Sequence, residues 1–191
     1  MKYKTFKNKK FSNICFGCEP LGGYDWGEVD LKKIDKSIKI SLEMGLNFFD
    51  TADVYGLGLS EERLSKILGS KRHDLIIATK GGVSWKKKGS KISIKKDISS
   101  KYIKSAIENS LRRLDLDILP VYYVHWPDKI SSIEKTFETL NDLQENEKIG
   151  LIGCSNFSPK EIKKALKVSS LSLLQTPINI LSGSPNKEIQ N

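Results

Sequence analysis

Cysteine and histidine are scarce in this sequence, and their scarcity argues against disulfides and against a metal centre. The 191 residues include three cysteines and two histidines. The odd cysteine count, and an amino terminus without the apolar stretch of a secretory signal, favour reduced thiols. Cys15 and Cys18 form a C-x-x-C, but no second cysteine pair accompanies them. We therefore expect no zinc site and no other metal cofactor.

Long apolar runs are also missing. No stretch approaches the ~20 apolar residues that are needed to cross a bilayer, so we expect a cytoplasmic protein without a membrane partner. The composition, with 38% apolar and 29% charged residues, is that of an ordinary globular domain that buries a core. A single domain is therefore expected over residues 1–191.

Acidic residues are outnumbered by basic ones, which gives a net charge of +9. Much of the excess falls in a Ser/Gly/Lys-rich stretch over residues 86–101, which contains Lys86, Lys87, Lys88, Lys91, Lys95, Lys96 and Lys101. Without interleaved aromatic residues or a recognition motif, this pattern predicts a solvated loop and no nucleic-acid partner. A rim that attracts anionic substrates is the alternative that the charge leaves open.

Short apolar runs of strand length alternate with stretches of helical periodicity, which is typical of an α/β protein with a parallel sheet. Six runs are predicted strands: CFGC near residue 16, LNFFD ending at Asp50, LIIATK at Lys80, VYYVH at His125, IGLIGCSN near Asn156 and LSLLQ at Gln175. The repeated βα units over residues 13–176 predict an incomplete (β/α)8 TIM barrel with about six parallel strands. An amino-terminal β-hairpin over 1–12 and an irregular tail over 177–191 complete the prediction.

Helical periodicity and end signals mark the crossover helices. They are predicted from Leu31 to a stop at Gly45, from a Ser60 cap to Gly69, over Tyr102 to Leu114, over Ile133 to Leu143, and after the Ser158 capping box. Each helix lies between two predicted strands, as the crossover connections of a parallel sheet require.

Several of the apolar strands end in polar residues that a core strand does not need. These residues are Asp50, Lys80, His125, Asn156 and Gln175. The carboxyl ends of all strands of a parallel barrel open on one face, and that face carries the active site in essentially every characterised case. We therefore expect the five side chains to converge.

Tyr55 follows Asp50 in the loop DTADVYG, where Gly56 allows the chain to turn back over the barrel mouth. Its phenol is the candidate proton donor, and the Lys80 ammonium is expected to lower the phenol pKa. Asp50 would keep Lys80 protonated, and His125 could hydrogen-bond a substrate carbonyl. Singly, Tyr55 is more typical of a loop aromatic, and His125 of a core histidine. The hypothesis depends on all four together.

Five motifs span the strand ends and the helices between them. They are D-T-A-x-x-Y-G-x-G-x-S-E (Asp50 to Glu61), T-K-G (Thr79 to Gly81), S-L-R-R-L (Ser110 to Leu114), H-W-P-D (His125 to Asp128) and G-C-S-N-F-S (Gly153 to Ser158). In order and spacing they resemble the aldo-keto reductase family over nearly the whole chain. The resemblance implies an NAD(P)H-dependent oxidoreductase that reduces a small-molecule carbonyl to an alcohol.

The resemblance also implies roles for individual residues. The implied catalytic tetrad is Asp50, Tyr55, Lys80 and His125. The implied nicotinamide-binding residues are Ser155, Asn156 and Gln175. In this family pattern Tyr55 is the general acid and Trp126 lines the substrate pocket. The implied cofactor is NADP, with NAD as the alternative.

The sequence departs from the family pattern towards its carboxyl-terminal end. A (β/α)8 barrel takes ~250 residues. The family's last strands, which carry most of the residues that bind the cofactor, have no counterpart in these 191 residues. Pro120 and Glu147 also replace customary residues before the fourth and fifth strands. We therefore expect open sheet edges, with self-association or a complementing carboxyl-terminal fragment as partner.

Two other functional classes stay open at this point. The chain could be a truncated non-catalytic fragment, or a binding or regulatory module of the same fold, as the family's ion-channel subunits illustrate by resemblance. Lys80 could instead form a Schiff base with a carbonyl substrate, as lysines of some barrel aldolases do. The nearby Asp50 and Tyr55 argue against the Schiff base.

Overall fold

Strands and helices alternate along the chain in the computed structural model, which describes residues 1–23, 26, 28–89 and 91–181. The strands are β1 (Tyr3–Phe6), β2 (Lys9–Ser12), β3 (Phe16–Gly17), β4 (Phe48–Asp50), β5 (Ile76–Gly81), β6 (Val83–Lys88), β7 (Lys91–Lys96), β8 (Leu119–Val124), β9 (Ile149–Ser155) and β10 (Leu173–Gln175). The α-helices are α1 (Leu31–Glu43), α2 (Leu59–Leu68), α3 (Ser100–Leu114), α4 (Ile133–Glu145) and α5 (Pro159–Ala165).

Six of these strands form one sheet in the order β3-β4-β5-β8-β9-β10. Every neighbouring pair in this sheet is parallel. The helices α1 to α5 lie on the five connections between consecutive strands of the sheet. The result is a half-barrel of βα units, which confirms the predicted α/β class and the six parallel strands. An antiparallel β1–β2 hairpin precedes the sheet, as predicted.

Side chains alternate between the two faces of the sheet, and each face has its own apolar cluster. The larger cluster packs under the helices and includes Phe49, Ile77 and Tyr122. The smaller cluster lies on the inner face, and its buried members are Phe11, Ile76, Ala78, Val121, Tyr123 and Leu151. The β1–β2 hairpin supplies Phe11, whose ring packs edge-on to Phe48 with centroids 5.2 Å apart. The inner face is therefore apolar before the strands reach their polar carboxyl ends.

The start of α2 corrects one prediction. Ser60 is predicted as the N-cap, but Gly58 occupies that position with φ 94° and the helix begins at Leu59. Glycine suits the position because a positive φ disfavours residues with a side chain. The buried Ser60 hydroxyl donates instead to Cys18 O at 2.7 Å and lies 2.8 Å from Thr51 Oγ1. Ser60 thus links α2 by hydrogen bonds to the segments that follow β3 and β4.

The lysine-rich stretch corrects a second prediction, because β6 and β7 form an antiparallel hairpin where a solvated loop is predicted. The register runs from Val83 opposite Lys96 to a turn that includes Gly89, with φ 61°. Trp85 lies opposite Ile94. Cross-strand pairs of this kind stabilise a hairpin, and the surrounding lysines obscure the alternation in the sequence.

The carboxyl-terminal tail is described as far as Leu181. Ile180 and Leu181 are almost fully exposed. Most of the tail predicted over 177–191, from residue 182 onward, lies outside the described residues. None of the described helices is long and apolar enough to cross a membrane.

Candidate active site

The inner face of the sheet brings the polar strand ends together. In β5, the alternation of side chains places Lys80 on the same face as Ile76 and Ala78 of the inner cluster. The corresponding positions of the neighbouring strands are Asp50 in β4, His125 just after β8, Ser155 in β9 and Gln175 in β10. The predicted site residues therefore share one rim.

Lys80 lies at the centre of this rim. Its side chain is fully buried, and its ammonium donates to Asp50 Oδ2 at 2.7 Å, Thr51 O at 2.9 Å and Tyr55 Oη at 3.3 Å. An ammonium carries three protons, so each one has an acceptor. Burial by itself lowers the pKa of Lys80, but the charge of Asp50 and the contact with Tyr55 hold the pKa above its usual value. Lys80 is therefore an oriented cation.

Tyr55 reaches Lys80 because the chain turns sharply after it. Gly56 has φ 59°, and a Cβ at this position would overlap the backbone of Gly22. The sequence predicts that Lys80 lowers the pKa of Tyr55, but in the structure the pKa is raised. Burial raises the pKa of the phenol and outweighs the opposing effect of Lys80. The phenol is consequently neutral and retains its proton.

The His125 imidazole stands edge-on to the Tyr55 ring, with ring centroids 5.7 Å apart. Its backbone N–H donates to Gly81 O at 2.8 Å, which fixes the residue at the rim. Burial, together with the charges of Lys80 and Lys96, lowers the pKa of His125 to about 3. Its buried Nδ1 has no hydrogen-bond partner among the described residues. His125 is thus a neutral ring that retains hydrogen-bonding capacity.

A neutral His125 predicts a measurable loss of stability in mild acid. The unfolded histidine takes up a proton below about pH 6.5, whereas the folded ring stays neutral down to about pH 3. Stability therefore falls as the pH drops below about 6.5, by up to tenfold in the folding equilibrium constant per pH unit. We expect His125→Gln to lack this component. Urea unfolding of wild type and His125→Gln between about pH 6.5 and pH 4 tests this expectation. A difference in the free energy of unfolding between the two proteins that does not change with pH would contradict a neutral His125.

Two amides and a hydroxyl complete the rim. Asn156 Nδ2 donates to His125 O at 3.0 Å and lies 3.1 Å from Ser155 Oγ. Gln175 Nε2 donates to Asp50 Oδ1 at 3.3 Å, which joins the edge strand β10 to β4. A carboxamide presents both hydrogen-bond donors and an acceptor, and amide and hydroxyl groups offer complementary atoms. The chemistry of these three side chains therefore fits the carboxamide of nicotinamide.

Known proteins match most of the length of this chain. The profile described as the Aldo/keto reductase family matches residues 13–191. The chain belongs to the aldo-keto reductase family. The aldo-keto reductase YhdN of Bacillus subtilis (strain 168) is 36% identical over 171 residues, which are 88% of this chain and 50% of that protein.

Two further matches are a curated enzyme and a protein of solved structure. The NADH-specific methylglyoxal reductase of Escherichia coli (strain K12) is 30% identical over 179 residues, which cover 88% of this chain and 55% of that protein. A glycerol dehydrogenase of Gluconobacter oxydans, whose structure is solved, matches with a TM-score of 0.85 at 32% identity, covering 92% of this chain and 54% of that one. The chain thus spans about half the length of the relatives it matches.

A cavity of about 320 Å³ opens at the rim that carries the polar strand ends. Its lining includes Tyr55, His125, Trp126, Glu19, Val83 and Ile94. Lys96 Nζ lies 4.1 Å from the centre of the half-exposed Trp126 ring. The sequence does not mark Glu19, Val83 and Ile94 as cavity residues, because only tertiary packing brings the segment after β3 and the β6–β7 hairpin to the rim.

The titratable groups of the described residues do not assemble into a metal centre. No cluster of three or more His, Cys, Asp or Glu side chains in this part of the chain could hold a metal ion. Cys15, Cys18 and Cys154 are free thiols. The Asp50 carboxylate is bound to Lys80 and to Gln175.

Proposed function

We propose that this chain carries the catalytic site of an NAD(P)H-dependent oxidoreductase that reduces a small carbonyl compound to an alcohol, with Tyr55 as the general acid. The observation that carries the proposal is the buried ammonium of Lys80, hydrogen-bonded to both Asp50 and Tyr55. Proton donation from a phenol leaves a phenolate, and a fixed cation beside it stabilises the developing charge. Membership of the aldo-keto reductase family supports the same chemistry.

The proposed reduction assigns one task to each side chain. A reduced nicotinamide held by Ser155, Asn156 and Gln175 would supply the hydride that the carbonyl carbon accepts. Tyr55 transfers its Oη proton to the carbonyl oxygen as the double bond becomes single, so that the alcohol forms and a phenolate remains 3.3 Å from Lys80 Nζ. The neutral His125 ring orients the carbonyl oxygen by a hydrogen bond. In the reverse oxidation, the Tyr55 phenolate accepts the proton from the alcohol.

The site disfavours the Schiff-base alternative. A lysine that attacks a carbonyl must be neutral and must reach the substrate. Lys80 is fully buried, and its three protons are committed to Asp50, Thr51 and Tyr55. Its raised pKa also favours the protonated form. These properties suit a fixed counter-charge better than a nucleophile.

Cofactor and substrate contacts are part of the same proposal. Ser155, Asn156 and Gln175 would hold the nicotinamide carboxamide, and Trp126 would contact the substrate in the cavity. We propose NADP as the cofactor, with NAD as the alternative. A relative that is named for methylglyoxal reduction supports a small carbonyl compound as the class of substrate.

The open edges of the sheet suggest a partner. Among the described residues, β3 and β10 each have a sheet neighbour on one side only. Unpaired edge groups favour association with another segment. Because the chain spans about half the length of its relatives, we propose that it acts with a complementing carboxyl-terminal segment. Association with a second copy of itself is the alternative. We propose the cytoplasm as its location.

The 191-residue chain alone is expected to bind NADPH weakly or not at all. Its three nicotinamide-binding candidates would contact only the carboxamide end of a much larger molecule. A titration of cofactor fluorescence measures the affinity. Adding the half of YhdN that this chain does not match should strengthen binding and produce carbonyl-dependent oxidation of NADPH. Tight stoichiometric binding by the chain alone would contradict the first expectation, and a reconstituted pair without reduction would contradict the proposed function.

A further inference from the structure

Asp53 is a buried carboxyl group that the proposed reaction does not use. It lies between Asp50 and Tyr55 on the loop after β4, and only 1% of its surface is exposed. Its backbone N–H donates to Lys80 O at 3.0 Å. Its carboxyl oxygen Oδ2 lies 3.0 Å from Tyr102 Oη in α3. Asp53 therefore joins the loop that carries Tyr55 to a helix outside the sheet.

Tyr102 makes two hydrogen-bond contacts, and its single proton cannot serve both if Asp53 is ionised. Tyr102 Oη lies 3.0 Å from Asp53 Oδ2 and 2.9 Å from Val83 O. A phenol has one proton, and a carboxylate and a carbonyl are both acceptors. A proton on Asp53 Oδ2 satisfies both contacts, because Asp53 then donates to the phenol oxygen while the phenol donates to Val83 O.

The charged groups that face Asp53 do not compensate a negative charge on it. Arg113 of α3 is bound to the buried Glu61 of α2, with Nε and Oε2 2.6 Å apart, and Thr79 donates to the other Glu61 oxygen at 2.5 Å. Asp53 Oδ1 and the hydroxyl of Tyr122 in β8 are buried without a partner among the described residues. An unpartnered oxygen is far less costly in a neutral acid than in a carboxylate.

We propose that Asp53 is held as a neutral carboxylic acid that positions the loop carrying Tyr55. The hydrogen bonds run from Asp53 Oδ2–H to Tyr102 Oη, and from Tyr102 Oη–H to Val83 O. Val83 begins β6 and lines the same cavity as Tyr55. The series therefore links the loop that carries Tyr55 to the β6–β7 hairpin, which also lines the cavity, with α3 as the common support. Asp53 is a positioning residue and does not touch the substrate.

The pKa of Asp53 agrees with this assignment. Burial raises the pKa well above its usual value, and the charge of Glu61 raises it further. A hydrogen bond from Tyr102 to an ionised Asp53 and the charge of Arg113 would lower the pKa, but they do not reverse the shift. The folded chain consequently keeps a proton that the unfolded chain loses above about pH 4.

Asp53→Asn tests the protonation state through the pH dependence of stability. Because the folded wild type keeps the Asp53 proton, its stability falls as the pH rises above about 4, by up to tenfold in the folding equilibrium constant per pH unit until the folded pKa is passed. Asparagine does not titrate and can still donate to Tyr102. The folding constant of Asp53→Asn relative to wild type should therefore rise up to tenfold per pH unit between about pH 5 and pH 7. A ratio that stays constant over this range would overturn the proposal.

Two further measurements test the proton on Asp53 and the contact that it makes with Tyr102. The infrared difference between wild type and Asp53→Asn at neutral pH should show the carbonyl stretch of a protonated carboxylic acid, and a carboxylate band in its place would contradict the proposal. Asp53→Ala and Tyr102→Phe should each raise the unfolding constant by roughly tenfold relative to Asp53→Asn. Equal stability of the three variants would also contradict it. None of these measurements requires reductase activity, so they stand apart from the test of the proposed function.

Discussion

Replacing Asp50 by asparagine is expected to lower the free energy of unfolding by about 3–5 kcal/mol, because it leaves a buried ammonium without its counter-ion. Lys80 Nζ lies 2.7 Å from Asp50 Oδ2, and the two side chains are 1% and 15% exposed. Asparagine has nearly the same size as aspartate and can accept a hydrogen bond, but it does not neutralise the charge. Urea unfolding followed by circular dichroism measures the loss.

The stability of Asp50→Asn should rise with pH in the alkaline range, whereas the contribution of the wild-type ion pair should fall. In wild type, the raised pKa of Lys80 contributes stability that is present below the unfolded pKa of about 10.4 and lost as the pH rises through the folded pKa. In Asp50→Asn, burial lowers the pKa of Lys80, so the destabilisation should shrink between about pH 8 and pH 10.

A double variant provides the control for the ion pair. Asp50→Asn combined with Lys80→Met removes both charges, and it should recover most of the stability that Asp50→Asn loses. The comparison separates the uncompensated charge from a general disturbance of the rim. A loss below about 1 kcal/mol in the single variant would contradict a buried ion pair at the centre of the site.

Tyr55→Phe is expected to slow carbonyl reduction by the reconstituted barrel about 10²- to 10⁴-fold, which is the usual contribution of a general acid. Phenylalanine keeps the ring that stands edge-on to His125 and lies 4.9 Å from Lys80 Nζ. Only the proton donor and one hydrogen bond are lost, so the free energy of unfolding should change by about 1 kcal/mol. Initial rates with NADPH and a small aldehyde measure the effect.

Tyr3→Phe is the matched control for this substitution. It removes the hydroxyl of an exposed tyrosine on β1, which donates to Gly45 O at 2.8 Å, from a position outside the rim. The rate of this variant should equal that of wild type. If Tyr55→Phe kept more than a tenth of the wild-type rate, Tyr55 would not be the proton donor.

The convergence of the polar strand ends could be predicted from the sequence. Parallel strands end at one rim, and the period-two alternation of side chains decides which residues point inward. Asp50, Lys80 and His125 each follow an apolar run, so their meeting required no long-range information beyond the order of the strands. The order β4, β5, β8 in the sheet confirms the basis of that prediction.

Other features depend on tertiary packing that no local pattern reveals. The direction of the pKa shift of Tyr55 is set by how deeply the loop is buried, which outweighs the cation that the sequence identifies. Ser60 has the residue type of a helix cap, but the turn at Gly58 places it inside α2. The contact between Asp53 and Tyr102 joins residues 49 positions apart. For Tyr55 and Asp53, a distant part of the chain decides the environment of the residue.

The transfer of deuterium from a labelled reduced nicotinamide tests the central claim most directly. The chain, combined with the half of YhdN that it does not match, is incubated with a carbonyl compound and with cofactor that carries deuterium at the hydride position. We predict deuterium on the carbinol carbon of the product with wild type, and at least about a hundredfold less with Tyr55→Phe. An alcohol without deuterium, or equal transfer by the two chains, would contradict hydride reduction with proton donation from Tyr55.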